Sequence, residues 1–153
     1  MAFSRRYLPR TLSRKDYKKQ KQMLLETRKN YLKHRFRNRK TQKFLSSFPH
    51  KKSQHVRNAQ KIYGVENIRP TPELAKKTGC SILALKQIVN KGEGAYYSSG
   101  SRPNQTAQSW GLARLASAIT GANASLVDAH ILESGCLPNK PARKLLQRKQ
   151  AHK

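Results

Sequence analysis

Acidic residues are scarce in this sequence: seven Asp and Glu stand against 33 Lys and Arg, leaving a formal net charge of +26. That shortage excludes a self-neutralised surface and points to anionic partners. Long apolar runs are missing too. The longest fall far short of the ~20 residues that a membrane span needs, and the N-terminus lacks the apolar stretch of a signal peptide. The expectation is a soluble or peripheral protein made in the cytosol. Cysteine is limited to Cys80 and Cys136, which excludes a disulfide-dense scaffold. Thiols in a reduced compartment are expected, with a lone disulfide between the two as the alternative. Hydrophobic residues make up 36% of the chain, enough for one modest core.

The charge that is present is lopsided. Twenty of the basic residues lie in the first 62 positions against only Asp16 and Glu26, a net of +18 for that stretch. Like charge at this density opposes collapse, so an arm is expected that takes its order from phosphate, anionic lipid or acidic protein. Residues 63–153 carry 13 basic and five acidic groups, a balance that permits folding. The expected fold class is all-α: a small bundle of short helices with a long basic N-terminal arm containing a helix. Three parts follow from this reading: an arm over 1–52, a helical domain over 53–138, and a basic tail helix over 139–153.

Within the arm, residues 1–13 read as extended lead-in, with Pro9 against an early helix and Ser13 available as a cap. A helix is predicted from Asp16 to about Arg35. Tyr17, Leu24 and Tyr31 recur every seven residues, with Leu25 and Leu32 beside them, giving a narrow apolar stripe between broad cationic faces. Residues 35–52 then interleave Phe36, Phe44 and Phe48 with cations, as a connector that anchors aromatics in protein grooves or stacks them on bases. The candidate partner-binding residues of the arm are Arg5, Arg6, Arg10, Arg14, Lys15, Tyr17, Leu24, Arg28, Tyr31, Arg35, Phe36, Arg37, Arg39, Lys40, Phe44 and Phe48.

Beyond the arm, cap and stop residues mark short helices: one from Ser53 to Tyr63, one from Thr71–Pro72 to Gly79, one from Ser81 to Gly92, one from Thr106 to Gly121, one from Ser125 to Gly135, and one from Pro141 to Gln150. Residues 74–92 have helix-turn-helix spacing, with Ala75 allowing close approach, Gly79 the turn, and Leu85 and Ile88 packing the second helix. A plain helical hairpin has the same pattern. If the hairpin reads DNA, Ser81, Leu83, Lys86 and Gln87 face the groove.

The segment GAYYSSGSRPNQT, residues 94–106, is nearly free of aliphatics and reads as a rigid loop whose own polar groups saturate its backbone. Arg102, ahead of a helix start, is a candidate for a phosphate or carboxylate, or else ties down helix C-termini of its own domain. Catalysis has little support. Asp128 and His130 are two apart on a helix, no Ser has an evident base, and the five His show no metal-ligand spacing. Neither catalytic nor metal residues are assigned, no cofactor is expected, and an enzyme is not the expected class.

GEGAYYSSGSRPNQTAQSWGLARLASAITG, with AKKTGCS before it and VDAHILESGC after it, resembles an uncharacterised family of basic proteins of large nucleocytoplasmic DNA viruses. The resemblance spans roughly residues 53–136. Its loop residues here are Tyr96, Tyr97, Ser98, Ser99, Gly100, Ser101, Arg102, Pro103, Asn104, Gln105, Thr106 and Trp110. GANAS at 121–125 departs from relatives that carry a second Gly and a Lys, which removes a positive charge there. The resemblance implies a viral setting and supplies no activity. Together with the arm it suggests a virion structural protein: a minor capsid component made in the host cytoplasm and lying on the interior face of the capsid. Its partners in that large assembly would be the major capsid protein and other minor capsid proteins, with contact to anionic lipid or DNA. The alternatives are a packaged or regulatory nucleic-acid-binding protein using the arm and the hairpin, and a ribosomal-type RNA-bound assembly protein.

Overall fold

Capping residues set the helix boundaries of the computed structural model, which describes residues 3–33, 44–49, 53–99 and 102–152. Among them run α1 (Arg14–Leu32), α2 (Gln54–Tyr63), α3 (Pro72–Thr78), α4 (Ile82–Ser99), α5 (Ala107–Ile119), α6 (Asn123–Val127), α7 (Ala129–Gly135) and α8 (Pro141–Ala151), with no strand. The chain is all-α. It divides into two compact units: unit 1 holds residues 1–51 and 93–109, and unit 2 holds 52–92 and 110–153.

Unit 1 corrects the expectation of an arm without a fold of its own. The lead-in is not extended: Ser4 O accepts from the amides of Tyr7 and Leu8, both at 3.0 Å, and this turn delivers Leu8 inward. Leu8, Leu12, Leu24 and Leu45 form a buried cluster, with Phe3, Tyr7 and Phe48 packed against it. Ser13 caps α1, its hydroxyl accepting from the Asp16 amide. The buried face of α1 is Asp16, Gln20, Leu24 and Thr27. Of the expected heptad stripe only Leu24 turns inward, while Tyr17, Leu25, Tyr31 and Leu32 are exposed. The stripe fails because Asp16 and Gln20 find hydrogen-bond partners inside and so occupy the inward face. Leu24 is accordingly a core residue of unit 1, and Phe48 packs half-buried against that core, so neither is a free anchor. Arg35, Phe36, Arg37, Arg39 and Lys40 lie outside the described residues.

Unit 2 carries the larger core, built on Leu74, Leu85, Ile88, Leu115, Ile119, Leu132 and Leu146, all fully buried. Thr71 caps α3 and Pro72 fills its first position, while Gly79 ends it with φ +79° and donates to Ala75 O. No side chain fits at residue 79: a Cβ there would sit 2.1 Å from the Lys140 Cβ. The expected tail helix, α8, is part of this unit, packing on α3, α6 and α7 and burying Ala142 and Leu146.

Gly92 does not stop its helix. It sits inside α4, where a Cβ would lie 2.6 Å from the Gly111 Cα, so two glycines let α4 and α5 approach at backbone distance. The expected helix over 125–135 is two helices, α6 and α7, broken at Asp128, whose backbone is off-helical and whose carboxylate is engaged elsewhere. Ser53 precedes α2 without a side-chain capping bond.

The cysteines are also corrected. Cys80 and Cys136, 56 residues apart, form a disulfide and an isolated antiparallel bridge. Ser81 N donates to Gly135 O at 2.8 Å and Leu137 N to Gly79 O at 2.9 Å, so backbone pairing brings the two thiols together. Closing a loop of this length is worth about 4 kcal/mol through the unfolded chain. A Cys80→Ser/Cys136→Ser variant is expected to lose up to that amount in urea unfolding, and reductant to shift the midpoint of the native protein alone. Equal midpoints for native and variant protein under oxidising conditions would contradict the bridge.

Candidate polyanion-binding surface

Counting by unit relocates the charge. Unit 1 holds 18 basic and three acidic side chains, a net of +15, and unit 2 holds 15 and four, a net of +11. Of the three acids of unit 1, Asp16 alone is drawn out of the surface, while Glu26 is exposed and Glu93 half-buried. Asp16 is buried, its Oδ2 accepting from the Ser47 hydroxyl at 2.6 Å and the Ser47 amide at 2.9 Å, with Lys19 at 3.9 Å from Oδ1. Glu26 takes a hydrogen bond from Gln22. Outside remain Arg5, Arg6, Arg10, Arg14, Lys15, Lys18, Lys21, Lys29 and Lys33, all exposed, and none makes an ion pair among the described residues. Arg28 is half-buried and lies over the Phe3 ring, 5.4 Å from its centroid.

The loop is the fastener of unit 1. Asn104, at φ +58°, accepts from the Leu45 amide at 2.8 Å and donates to Leu45 O at 3.1 Å and Phe48 O at 2.8 Å. One side chain thereby saturates the turn that carries Leu45 into the core. Thr106 and Ser109 cap α5 reciprocally, the Thr106 amide donating to Ser109 Oγ and the Ser109 amide to Thr106 Oγ1. Gln105 joins through its side chain to Ser109 and through its amide to Arg102 O. These bonds engage the amides of Gln105, Thr106 and Ser109. Arg102 itself is exposed.

Residues 94–99 are helical, against the expectation of loop. Tyr96 is buried and meets Tyr97 edge-on with centroids 5.4 Å apart. Ser98 bonds back to Ala95 O, Pro103 is buried and Trp110 half-buried. Ser99 falls in the last turn of α4, whereas Gly100 and Ser101 lie outside the described residues.

The hairpin α3–α4 displays Leu83, Lys86 and Gln87 on an exposed face, with Leu83 67% exposed. Ser81 is committed to the fold: its hydroxyl caps α4 at the Ala84 amide. Thr78 stands where such motifs bury an aliphatic, and it is fully buried because its hydroxyl donates to Leu74 O and accepts from the Cys80 amide.

Unit 2 has one concentrated charge network. The Asp128 carboxylate, fully buried, takes Arg114 Nε at 2.8 Å and Nη2 at 2.7 Å, and Lys91 Nζ lies 3.8 Å away. Lys91 also reaches His130 Nε2 at 3.2 Å, so a lysine joins two residues that sequence spacing separates, and His130 is exposed. The Asp128 hydrogen bonds hold the proton on Arg114 more firmly than usual. Burial likewise pushes the Tyr63 phenol well above its ordinary range, its hydroxyl donating to Ile119 O. Among the described residues no three His, Cys, Asp or Glu converge as metal ligands, and no described helix is long and apolar enough to cross a membrane.

The Ser47 hydroxyl, then the Ser47 amide, hold the Asp16 carboxyl below its ordinary 3.8 despite opposing desolvation, with Lys19 adding to the shift. A depressed carboxylate stabilises the fold above its unfolded value and loses that contribution as pH falls through the folded value. Unit 1 is therefore expected to be stable down to about pH 3.8 and to weaken below it. Thermal unfolding of native protein and Asp16→Asn across pH 2–6 tests this: the difference between the two should shrink as the pH falls, and a gap independent of pH would contradict the assignment.

Comparison with known proteins adds a family without a function. No curated protein and no solved structure matches the chain. The model of one protein family, described as a family of unknown function (DUF5824), matches residues 4–130, spanning both the cationic segment and the Asn104 loop. The chain belongs to DUF5824.

Proposed function

We propose that the protein binds nucleic acid through the outward cations of unit 1 and serves as a structural component packaged in the particle of a large DNA virus. The observation that carries the reading is the disposition of charge in that unit: its nine exposed cations between Arg5 and Lys33 lack ion-pair partners among the described residues, while Asp16 is spent inside. Counterion release then supplies the affinity, without need for base reading. The viral setting rests on the resemblance of the GAYYSSGSRPNQT segment, and the exposed Lys86 and Gln87 on α4 offer one further cation and one hydrogen-bonding side chain.

A minor capsid role, with the major capsid protein as partner, is the second reading. Exposed aromatics favour it: Phe44 is 66% and Tyr17 37% exposed, more apolar surface than phosphate contacts use. Genome removal separates the two readings, since a shell component stays in emptied particles and a packaged binder leaves with the nucleic acid.

Binding of a duplex DNA, followed by fluorescence anisotropy over 50–300 mM salt, tests the first reading. Log affinity should fall with log salt with a slope of about −5 or steeper, and neutralising Arg5, Arg6, Arg10 and Arg14 with Gln should reduce that slope by about 3. No binding at 50 mM salt, or a slope that the four substitutions leave unchanged, would overturn it.

A further inference from the structure

The outward face of α1 has a pattern that phosphate binding does not account for. Lys15, Lys18, Gln22, Leu25, Lys29 and Leu32 follow one another at alternating spacings of three and four, and all six are exposed. That alternation keeps them on one line, because seven residues fall only about 20° short of two helical turns. Leu32 is 73% and Leu25 46% exposed, on the side of the helix opposite its buried residues. Every face of an α-helix has this spacing; what sets this one apart is the pair Leu25 and Leu32, one heptad apart with Lys18 and Lys29 beside them, which leaves apolar surface that a partner helix can cover.

We infer that this face docks an acidic amphipathic helix of another protein, whose aliphatic residues meet Leu25 and Leu32 and whose carboxylates meet Lys15, Lys18 and Lys29. Charge selects this occupant. A second copy of the chain would set lysine against lysine along the seam, a repulsion added to that of two +26 molecules. A lipid surface takes helices with a continuous apolar face, whereas four of the six seam positions here are Lys or Gln. Nucleic acid satisfies the lysines and leaves both leucines against phosphate with nothing gained. An acidic helix of matching period satisfies every position, and Gln22, which donates to Glu26, tolerates either neighbour. The inference shares Lys15, Lys18 and Lys29 with the nucleic-acid reading and differs from it in needing Leu25 and Leu32, which that reading does not use.

The test uses the full-length protein with three probes: a synthetic four-heptad peptide with leucine at its seam and glutamate at the flanks, a scrambled peptide of the same composition, and vesicles containing anionic lipid. Binding is read by fluorescence anisotropy for the peptides and by co-sedimentation for the vesicles. The patterned peptide should bind at least about tenfold more tightly than the scrambled one, and Leu25→Ser/Leu32→Ser should weaken it about tenfold. Both leucines are exposed, so the variant keeps its fold, checked by its circular dichroism and unfolding midpoint. The same variant should bind duplex DNA as the native protein does, which separates failure here from failure of the nucleic-acid reading. Equal binding of both peptides, insensitivity to the leucine substitutions, or a leucine-dependent interaction with vesicles and not with the patterned peptide would each overturn the proposal.

Discussion

A segment with 17 cations in its first 51 residues closes into a folded unit only if something inside it outweighs the repulsion outside. The internal term here is a polar latch. Asp16 projects from the first turn of α1 into the Ser47 amide and hydroxyl, Ser13 donates its own amide to Ser47 Oγ, and Asn104 grips the backbone of Leu45 and Phe48. The bonds to Asp16 and Asn104 are partly buried and fix the turn over residues 45–48, while the Ser13–Ser47 bond lies at the surface. The four leucines of the small core add the apolar contribution, but so small a cluster holds its shape through the latch. The rest follows from this closure: with Asp16 drawn inward, Glu26 and Glu93 are the acids left to 18 cations in unit 1.

Unit 2 obeys a different constraint, close approach of helices. Gly79 lets the Lys140 segment cross the hairpin turn, Gly92 and Gly111 let α4 lie on α5, and the Cys80–Cys136 bridge fastens the turn to the end of α7. At this packing distance Lys91 and Arg114 are carried to Asp128, whose buried charge requires them; removing one partner of such a pair costs about 3–5 kcal/mol. The network is a bolt between α4, α5 and the α6–α7 break, and its lysine end, shared with His130, reaches the surface. Unit 2 thus contributes rigidity, whereas unit 1 contributes the more strongly charged surface.

Local rules made much of this legible. Thr71, Pro72, Gly79, Ser81 and Pro141 marked helix ends because capping chemistry acts within four residues, and the all-α class followed from their spacing. What failed depended on partners distant in sequence. The heptad reading of α1 counted apolar residues and overlooked Asp16 and Gln20, which turn inward only because Ser47 and Tyr7 lie there to receive them. Gly92 looked like a stop because composition does not distinguish a C-cap from a helix crossing. The pairing of Cys80 with Cys136 stood only as the alternative to free thiols, since the bridge between residues 79 and 137 is a tertiary contact without a local signal. The loop around Asn104 stood out for its lack of aliphatics and is indeed dense in local hydrogen bonds, but its grip on residues 45–48 spans more than fifty positions and left no local signal.

Hydrogen exchange of the isolated chain at low salt tests the latch most directly. The Leu45 amide, which donates to Asn104 Oδ1, should be protected in the native protein with no nucleic acid, lipid or protein partner present, and should lose that protection in Asn104→Ala while the amides of α5 beyond Trp110 keep theirs. Exchange at the unprotected rate in the native protein, with protection appearing only on addition of a polyanion, would mean that the cationic segment takes its fold from its partner and would contradict the account.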